Sequence, residues 1–180
     1  MIIEQDREQL EEAIAFHTKS DLRSIRLSQS RVWSRPGGPP ADGKEFAADI
    51  KFQAGDCKIA EGCLALDTDF TFIVTLGDSK EENRIVVIEC KFEAQYAVNT
   101  EYCPTEKQID AFRSANAVFN CWPFFREYVQ NTAVRMNFPS PSVPFLRIVG
   151  KAQLQGQEAV GSPAAIPAPQ QKGTRRRRKI

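Results

Sequence analysis

The stretch from Phe119 to Pro139, FNCWPFFREYVQNTAVRMNFP, is the most aromatic run of the chain and decides its fold. Proline is tolerated in the first turn of a helix, and the residue before a proline leaves the α region. Pro123 and Pro139 therefore predict one helix from about Cys121 to about Asn137, with Asn120 as its N-cap. A single helical stripe runs along it through Trp122, Phe125, Val129, Ala133 and Met136.

Two further aromatic residues of this helix, Phe124 and Tyr128, lie beside the stripe. The apolar face is therefore wider than one packing seam requires. Core packing alone explains such a face, and so does a surface that binds something apolar. The helix by itself does not distinguish these two explanations.

Composition and charge restrict the class of protein. The chain has 180 residues, 42% hydrophobic and 26% charged, with a formal net charge of +1. These values suit one soluble domain plus a tail and give no reason to expect nucleic acid. No apolar run approaches the roughly 20 residues of a membrane helix. The start, MIIEQDREQLEEAI, lacks the basic and apolar regions of a signal peptide, which favours the cytoplasm.

Residues that bind metals or act as nucleophiles are few. The five cysteines form no C-x-x-C pair, and His17 is the one histidine. We therefore expect reduced thiols without a zinc site, a disulfide framework or a cofactor. Carboxylates that share a strand face, such as Asp67 with Asp69 and Glu89 with Glu93, are typical of a solvated surface. No nucleophile has a base beside it, so no catalytic set is predicted.

The remaining elements predict an α+β fold. A helix is expected from Gln5 to about Lys19, with an inner stripe of Leu10, Ala13, Ile14 and His17. Residues 22–33 alternate weakly, which is typical of an edge strand or a bulged strand. Residues 46–54, 64–76 and 86–96 alternate cleanly, so each strand has one apolar and one polar face. This pattern predicts a four-stranded antiparallel sheet covered on one side.

Turn and cap signals separate these elements. Arg35–Pro40 and Gly77–Asn83 are predicted loops. Thr105 and Gln108 form a capping box for a second helix, whose inner side is expected to contain Ile109, Phe112, Asn116 and Phe119. We predict a domain over residues 1–149, closed by a proline-rich extended return. Residues 150–180 are predicted to be a disordered tail.

The tail ends in the basic run TRRRRKI, with Arg175 to Lys179. Such a run can bind nucleic acid, acidic protein or anionic lipid, or stay solvated without a specific partner. The sequence does not distinguish among these alternatives.

Three stretches resemble the SecB family of preprotein-export chaperones. LRSIRLSQSRVW (22–33) resembles the family's first strand, and RIVVIECKFEAQY (84–96) resembles its fourth. The strongest similarity lies in residues 122–148, where the matching residues are Pro123, Phe124, Arg126, Glu127, Phe138 and Pro139. The resemblance covers about Asp21 to Val149. The extra N-terminal helix is similar to a divergent SecB-like branch, some members of which serve toxin–antitoxin systems.

The resemblance implies a cytoplasmic homotetramer that holds unfolded or slow-folding proteins in apolar grooves between helix and sheet. It implies no enzymatic activity and no nucleotide. Ile73 and Val87, apolar residues on otherwise polar strand faces, fit a subunit interface. We expect the client groove to involve the aromatic and apolar residues Trp33, Trp122, Phe124, Tyr128, Met136, Phe138 and Phe145.

One stretch departs from the export branch, which docks the SecA motor through acidic residues that include two on the first strand. This chain has Ser28, Gln29, Ser30 and Arg31 there. Glu89 alone matches a family acid and is the expected contact for the motor, so we rank transfer to SecA below client binding. Clients would be preproteins or an antitoxin-like protein. The alternative is a dedicated interaction module for one partner, without general chaperone activity.

Overall fold

A computed structural model of the chain describes residues 1–36, 46–60, 62–77 and 80–151. Four long strands form one antiparallel sheet in the order β2-β5-β4-β3, and two short strands, β1 and β6, form a separate parallel pair. The predicted α+β class with a four-stranded antiparallel sheet is confirmed. The elements are β1 (Ile2–Gln5), α1 (Arg7–His17), β2 (Ser20–Ser34), β3 (Phe46–Ala60), β4 (Cys63–Leu76), β5 (Arg84–Val98), α2 (Glu106–Phe112), α3 (Val118–Arg135) and β6 (Arg147–Gly150).

The core lies between α3 and the inner face of the sheet. Phe125 is fully buried, and its ring stacks on that of Phe70 in β4 with centroids 4.6 Å apart. The predicted stripe of α3 is buried at Trp122, Phe125, Val129 and Ala133, and Met136 packs half-buried at its end. The residues of β4 and β5 therefore alternate for the reason that the sequence suggested, because only one face of the sheet is covered.

Strand β2 is an edge of the sheet, as its weak alternation predicted. Its pairing with β5 shifts register between Leu22 and Ser24 and again between Leu27 and Gln29. Because each shift moves the following side chains to the other face, a strict period of two cannot persist along the strand.

The aromatic helix begins earlier than predicted. Residues 113–117 form a π-helical turn that joins α2 to α3, so the chain stays helical from Glu106 to Arg135 and Pro123 lies inside the helix. Asn120 is therefore not an N-cap, since the preceding turn continues the helix, and its side chain donates to the Tyr96 hydroxyl at 3.0 Å. The wider π turn also rotates the inner face, which leaves Phe119 exposed.

The N-terminal region differs from the prediction in two ways. Helix α1 starts after a capping box of Asp6 and Gln9, and it buries Ala13 and Phe16, whereas Ile14 is exposed. The strand β1 was not predicted. It pairs in parallel with β6, and four residues with a distant partner give no periodic signal.

The predicted boundary between residues 149 and 150 cuts the end of β6, because Gly150 pairs with Gln5. The rest of the predicted tail, residues 152–180, lies outside the described residues, as do most of the first predicted loop and residues 78–79 of the second.

Candidate functional site

Helix α3 ends in a Schellman motif that directs the chain back over the sheet. Asn137 has a φ of 61°, in the left-handed region that asparagine tolerates better than most residues. The Asn137 N–H donates to the Val134 carbonyl at 3.0 Å, and the Phe138 N–H donates to the Ala133 carbonyl at 2.9 Å. The motif turns Phe138 inward, where it is buried.

Residues 139–146, which we name the return segment, then run to β6. Val143 and Leu146 are buried in the core and anchor this segment. It contains Pro139, Pro141 and Pro144, which have no N–H to donate to a neighbouring strand. The segment is therefore held by its carbonyls and by its two apolar anchors.

An apolar cavity of about 220 Å³ lies between the sheet and the beginning of the return segment. Its walls come from three strands, from the end of α3 and from the chain that follows: Phe46, Ala48, Phe72, Val74, Val86, Ala133, Phe138, Pro139, Ser140, Pro141 and Ser142. None of these lining residues carries a charge. Phe46 and Ala48 are exposed on the edge strand β3, so the cavity can admit a neutral apolar side chain from outside.

A second apolar groove lies between the edge strand β2 and α3, with a cavity of about 270 Å³. Leu27 is 41% exposed on the strand side and Phe124 is 43% exposed on the helix side, with Tyr128 beside it. The rim is polar and consists of Glu127, Asn131, Thr132 and Arg135. Exposed apolar groups inside a polar rim are typical of a protein-binding surface.

The seven residues expected to line one groove occupy several places. Phe138 lines the apolar cavity, whereas Phe124 and Tyr128 line the second groove. Trp33 lies on the outer face of the sheet beside Val87. The other three are Trp122, buried in the core, Met136, half-buried against it, and Phe145, 74% exposed with the Arg126 guanidinium over its ring.

The sequence pattern did not predict the strand residues of the cavity, Phe46, Ala48, Phe72, Val74 and Val86. They share the inner, apolar face of the alternating strands, so their pattern indicated burial. The signal that could have found the cavity is the proline-rich segment beyond Phe138, because an extended return over the end of a sheet leaves space beneath it.

The outer face of the sheet carries the charged side chains. Glu89 is exposed and lies directly across from Arg31 of β2, so the expected motor contact has a cation as its cross-strand neighbour. Glu93 is buried, and hydrogen bonds from Arg26 and Gln95 hold the pKa of its carboxyl below the ordinary value. The pKa of the Asp67 carboxyl is raised instead, because burial disfavours its charged form.

The buried thiols are poorly suited to reaction. Burial raises the pKa of Cys90 and of Cys121 to about 12 each, so both stay protonated at neutral pH. Within the described ranges, no group of three or more His, Cys, Asp or Glu side chains is arranged to hold a metal ion. None of the helices in that part of the chain is long and apolar enough to cross a membrane.

Comparison with known proteins identifies the fold. No protein-family model and no curated protein matches the sequence. Among solved structures, the Mycobacterium tuberculosis SecB-like chaperone Rv1957, in complex with a ChAD peptide from the antitoxin HigA1 (Rv1956), superposes with a TM-score of 0.67. The identity is 15%, and the match covers 77% of this chain and 99% of that one. This chain therefore has a SecB-like fold, as the aromatic helix indicated.

A second solved structure, a protein of unknown function from Streptococcus agalactiae, matches at 10% identity with a TM-score of 0.40. The match covers 71% of this chain and 98% of the Streptococcus agalactiae chain. A TM-score this low does not establish a shared fold.

Proposed function

We propose that this protein is a chaperone that holds unfolded or slow-folding client proteins without ATP. The observation that carries the proposal is the uncharged cavity between the sheet and the return segment. It opens beside an edge strand and offers apolar walls without a charged group, which suits a neutral side chain of an extended polypeptide. A peptide bound to a protein of the same fold supports this class of ligand.

The energetics favour weak and promiscuous binding at each cavity. An aromatic side chain buries about 150–250 Å², which at about 25 cal/mol per Å² gives roughly 4–6 kcal/mol before costs. Ordering the client and losing its free motion take back several kcal/mol. Several cavities on one assembly would convert weak contacts into tight holding through a high effective concentration.

We further propose that the protein works as a cytoplasmic homotetramer. The second groove supports self-association, because it lies beside the edge strand β2 and exposes Leu27 and Phe124 within a polar rim. Ile73 and Val87 form an apolar pair across β4 and β5 on the outer face, where Ile73 is buried and Val87 is half-buried within one chain. Transfer to a SecA motor has weaker support, because Arg31 of β2 lies directly across from Glu89 and that strand supplies no acid beside it.

The client could be a preprotein or an antitoxin-like protein. The antitoxin peptide in the neighbouring structure supports the second class. The alternative, a dedicated module for one partner, predicts that unrelated unfolded proteins are not bound.

The test is suppression of aggregation for two unrelated, chemically unfolded proteins, run beside mass determination by light scattering. We expect both clients to stay in solution and the mass to be near four times the chain mass of 20.2 kDa. Aggregation of both clients at stoichiometric excess of the protein would favour the dedicated module. A stable monomer at micromolar concentration would contradict the assembly.

A further inference from the structure

One face of α3 presents a row of hydrogen-bond donors to the return segment. The Trp122 indole N–H donates to the Pro144 carbonyl at 3.0 Å, and Arg126 Nε donates to the Val143 carbonyl at 3.0 Å. Gln130 Nε2 donates to the Pro141 carbonyl at 3.4 Å. These three residues are spaced four apart and therefore share one side of the helix. The donors follow one another toward the C-terminus of α3, whereas their acceptors follow one another toward the N-terminus of the return segment. The segment therefore runs antiparallel to the helix.

The return segment depends on these donors more than an ordinary strand would. Its three prolines, Pro139, Pro141 and Pro144, cannot donate to a partner strand. Its carbonyls still need donors, and side chains of α3 supply them at three positions. Arg126 makes a second contact, with its guanidinium 4.4 Å from the centroid of the Phe145 ring. A lysine provides neither the planar face nor the Nε–H in that position.

The same segment forms the outer wall of the apolar cavity. Pro141 connects the two features, because it accepts the hydrogen bond from Gln130 and also lines the cavity. We propose that Trp122, Arg126 and Gln130 are positioning residues, which hold this wall at a fixed distance from the sheet and thereby determine the size of client side chain that the cavity accepts. This inference rests on the proposed function.

The test compares two extended client peptides that are identical except for one central residue, Phe in one and Ala in the other. We expect the wild type to prefer the Phe peptide by on the order of tenfold or more, as apolar pockets discriminate size. Arg126→Lys should reduce this ratio to about twofold, while the affinity for the Ala peptide stays the same. Arg7→Lys, a matched change on α1 where the side chain is exposed and lines neither the cavity nor the second groove, should leave the ratio unchanged.

Gln130→Met is the second variant, because it keeps the length of the side chain and removes the donor. It tests the same ratio if Arg126→Lys does not fold, as judged by its thermal melt. A reduced ratio in the folded variants supports the positioning role. Equal weakening of both peptides, or an unchanged ratio in both folded variants, would overturn it. If the wild type binds neither peptide, the proposed function itself fails. That result differs from failure of the positioning role, in which the wild type still binds the peptides.

Discussion

Phe125 of α3 stacks on Phe70 of β4 at 4.6 Å with an interplanar angle of 14°, whereas its neighbour Phe124 faces the groove beside β2. Phe125 is fully buried and Phe124 is 43% exposed. Two adjacent phenylalanines thus have different surroundings, one in the core and one on a surface.

This difference predicts separate effects of two alanine substitutions. Phe125→Ala should lower the free energy of unfolding by about 3–5 kcal/mol, as large-to-small changes in a core do. Phe124→Ala should stay near the roughly ±0.5 kcal/mol of surface changes, and it should weaken self-association because Phe124 lines the second groove. Urea unfolding of both variants measures the first effect, and light scattering measures the second. Equal destabilisation would place both residues in the core.

The left-handed residue at the end of α3 gives a second prediction. At Asn137, a glycine adopts a φ of 61° without steric cost, so Asn137→Gly should keep or slightly raise stability. Asn137→Val should lose roughly 1–2 kcal/mol, because a β-branched side chain is strained there. Thermal unfolding of the two variants decides the matter, and a valine variant as stable as the glycine variant would show that the motif is not needed.

The buried carboxylate of Glu93 gives a pH-dependent prediction. Arg26 donates to it at 2.9 and 3.0 Å, Gln95 donates at 2.8 Å, and the folded-state pKa of Glu93 is lowered. A lowered pKa contributes stability above the unfolded value of about 4.3, and that stability is lost as pH falls through the folded-state pKa.

Glu93→Gln should therefore be less stable than the wild type near neutral pH, and the difference should shrink below about pH 4. Urea unfolding at a series of pH values gives this curve. A difference that stays constant from neutral to acidic pH would mean that ionisation of Glu93 contributes nothing.

The tail gives a fourth prediction. Deletion of residues 152–180 should leave the cooperative melt and client holding unchanged, because that segment has little apolar surface to add to a core. Binding to an acidic partner should weaken on deletion and should depend strongly on salt in the full chain. Loss of the cooperative melt in the truncated chain would show that the tail is structural.

The sheet could be predicted from sequence because β4 and β5 alternate over most of their length and have one covered face. The stripe of α3 could be predicted for the same reason, since Trp122, Phe125, Val129 and Ala133 pack on that face. Local chemistry sufficed for the Thr105–Gln108 capping box, which the structure contains as expected.

Long-range contacts explain what the sequence did not predict. The start of α3 was misplaced because Pro123 suits a first turn, and only the π turn before it keeps the helix continuous. The cavity was missed because its walls come from three strands and the return segment, and each residue alone looks like core. The seven expected groove residues were selected for aromatic or apolar character, which does not indicate the side of the sheet or helix they face.

The most direct test of client binding in the cavity is equilibrium binding of a fluorescently labelled, permanently unfolded protein to the wild type and to two variants of β3. Ala48→Phe fills the cavity from its exposed wall, and Ala60→Phe adds the same side chain at the exposed far end of the strand. We predict saturable binding by the wild type and by Ala60→Phe, with binding by Ala48→Phe weakened about tenfold or more. Absence of binding by the wild type, or equal binding by the folded Ala48→Phe variant, would contradict the claim that this cavity holds unfolded clients.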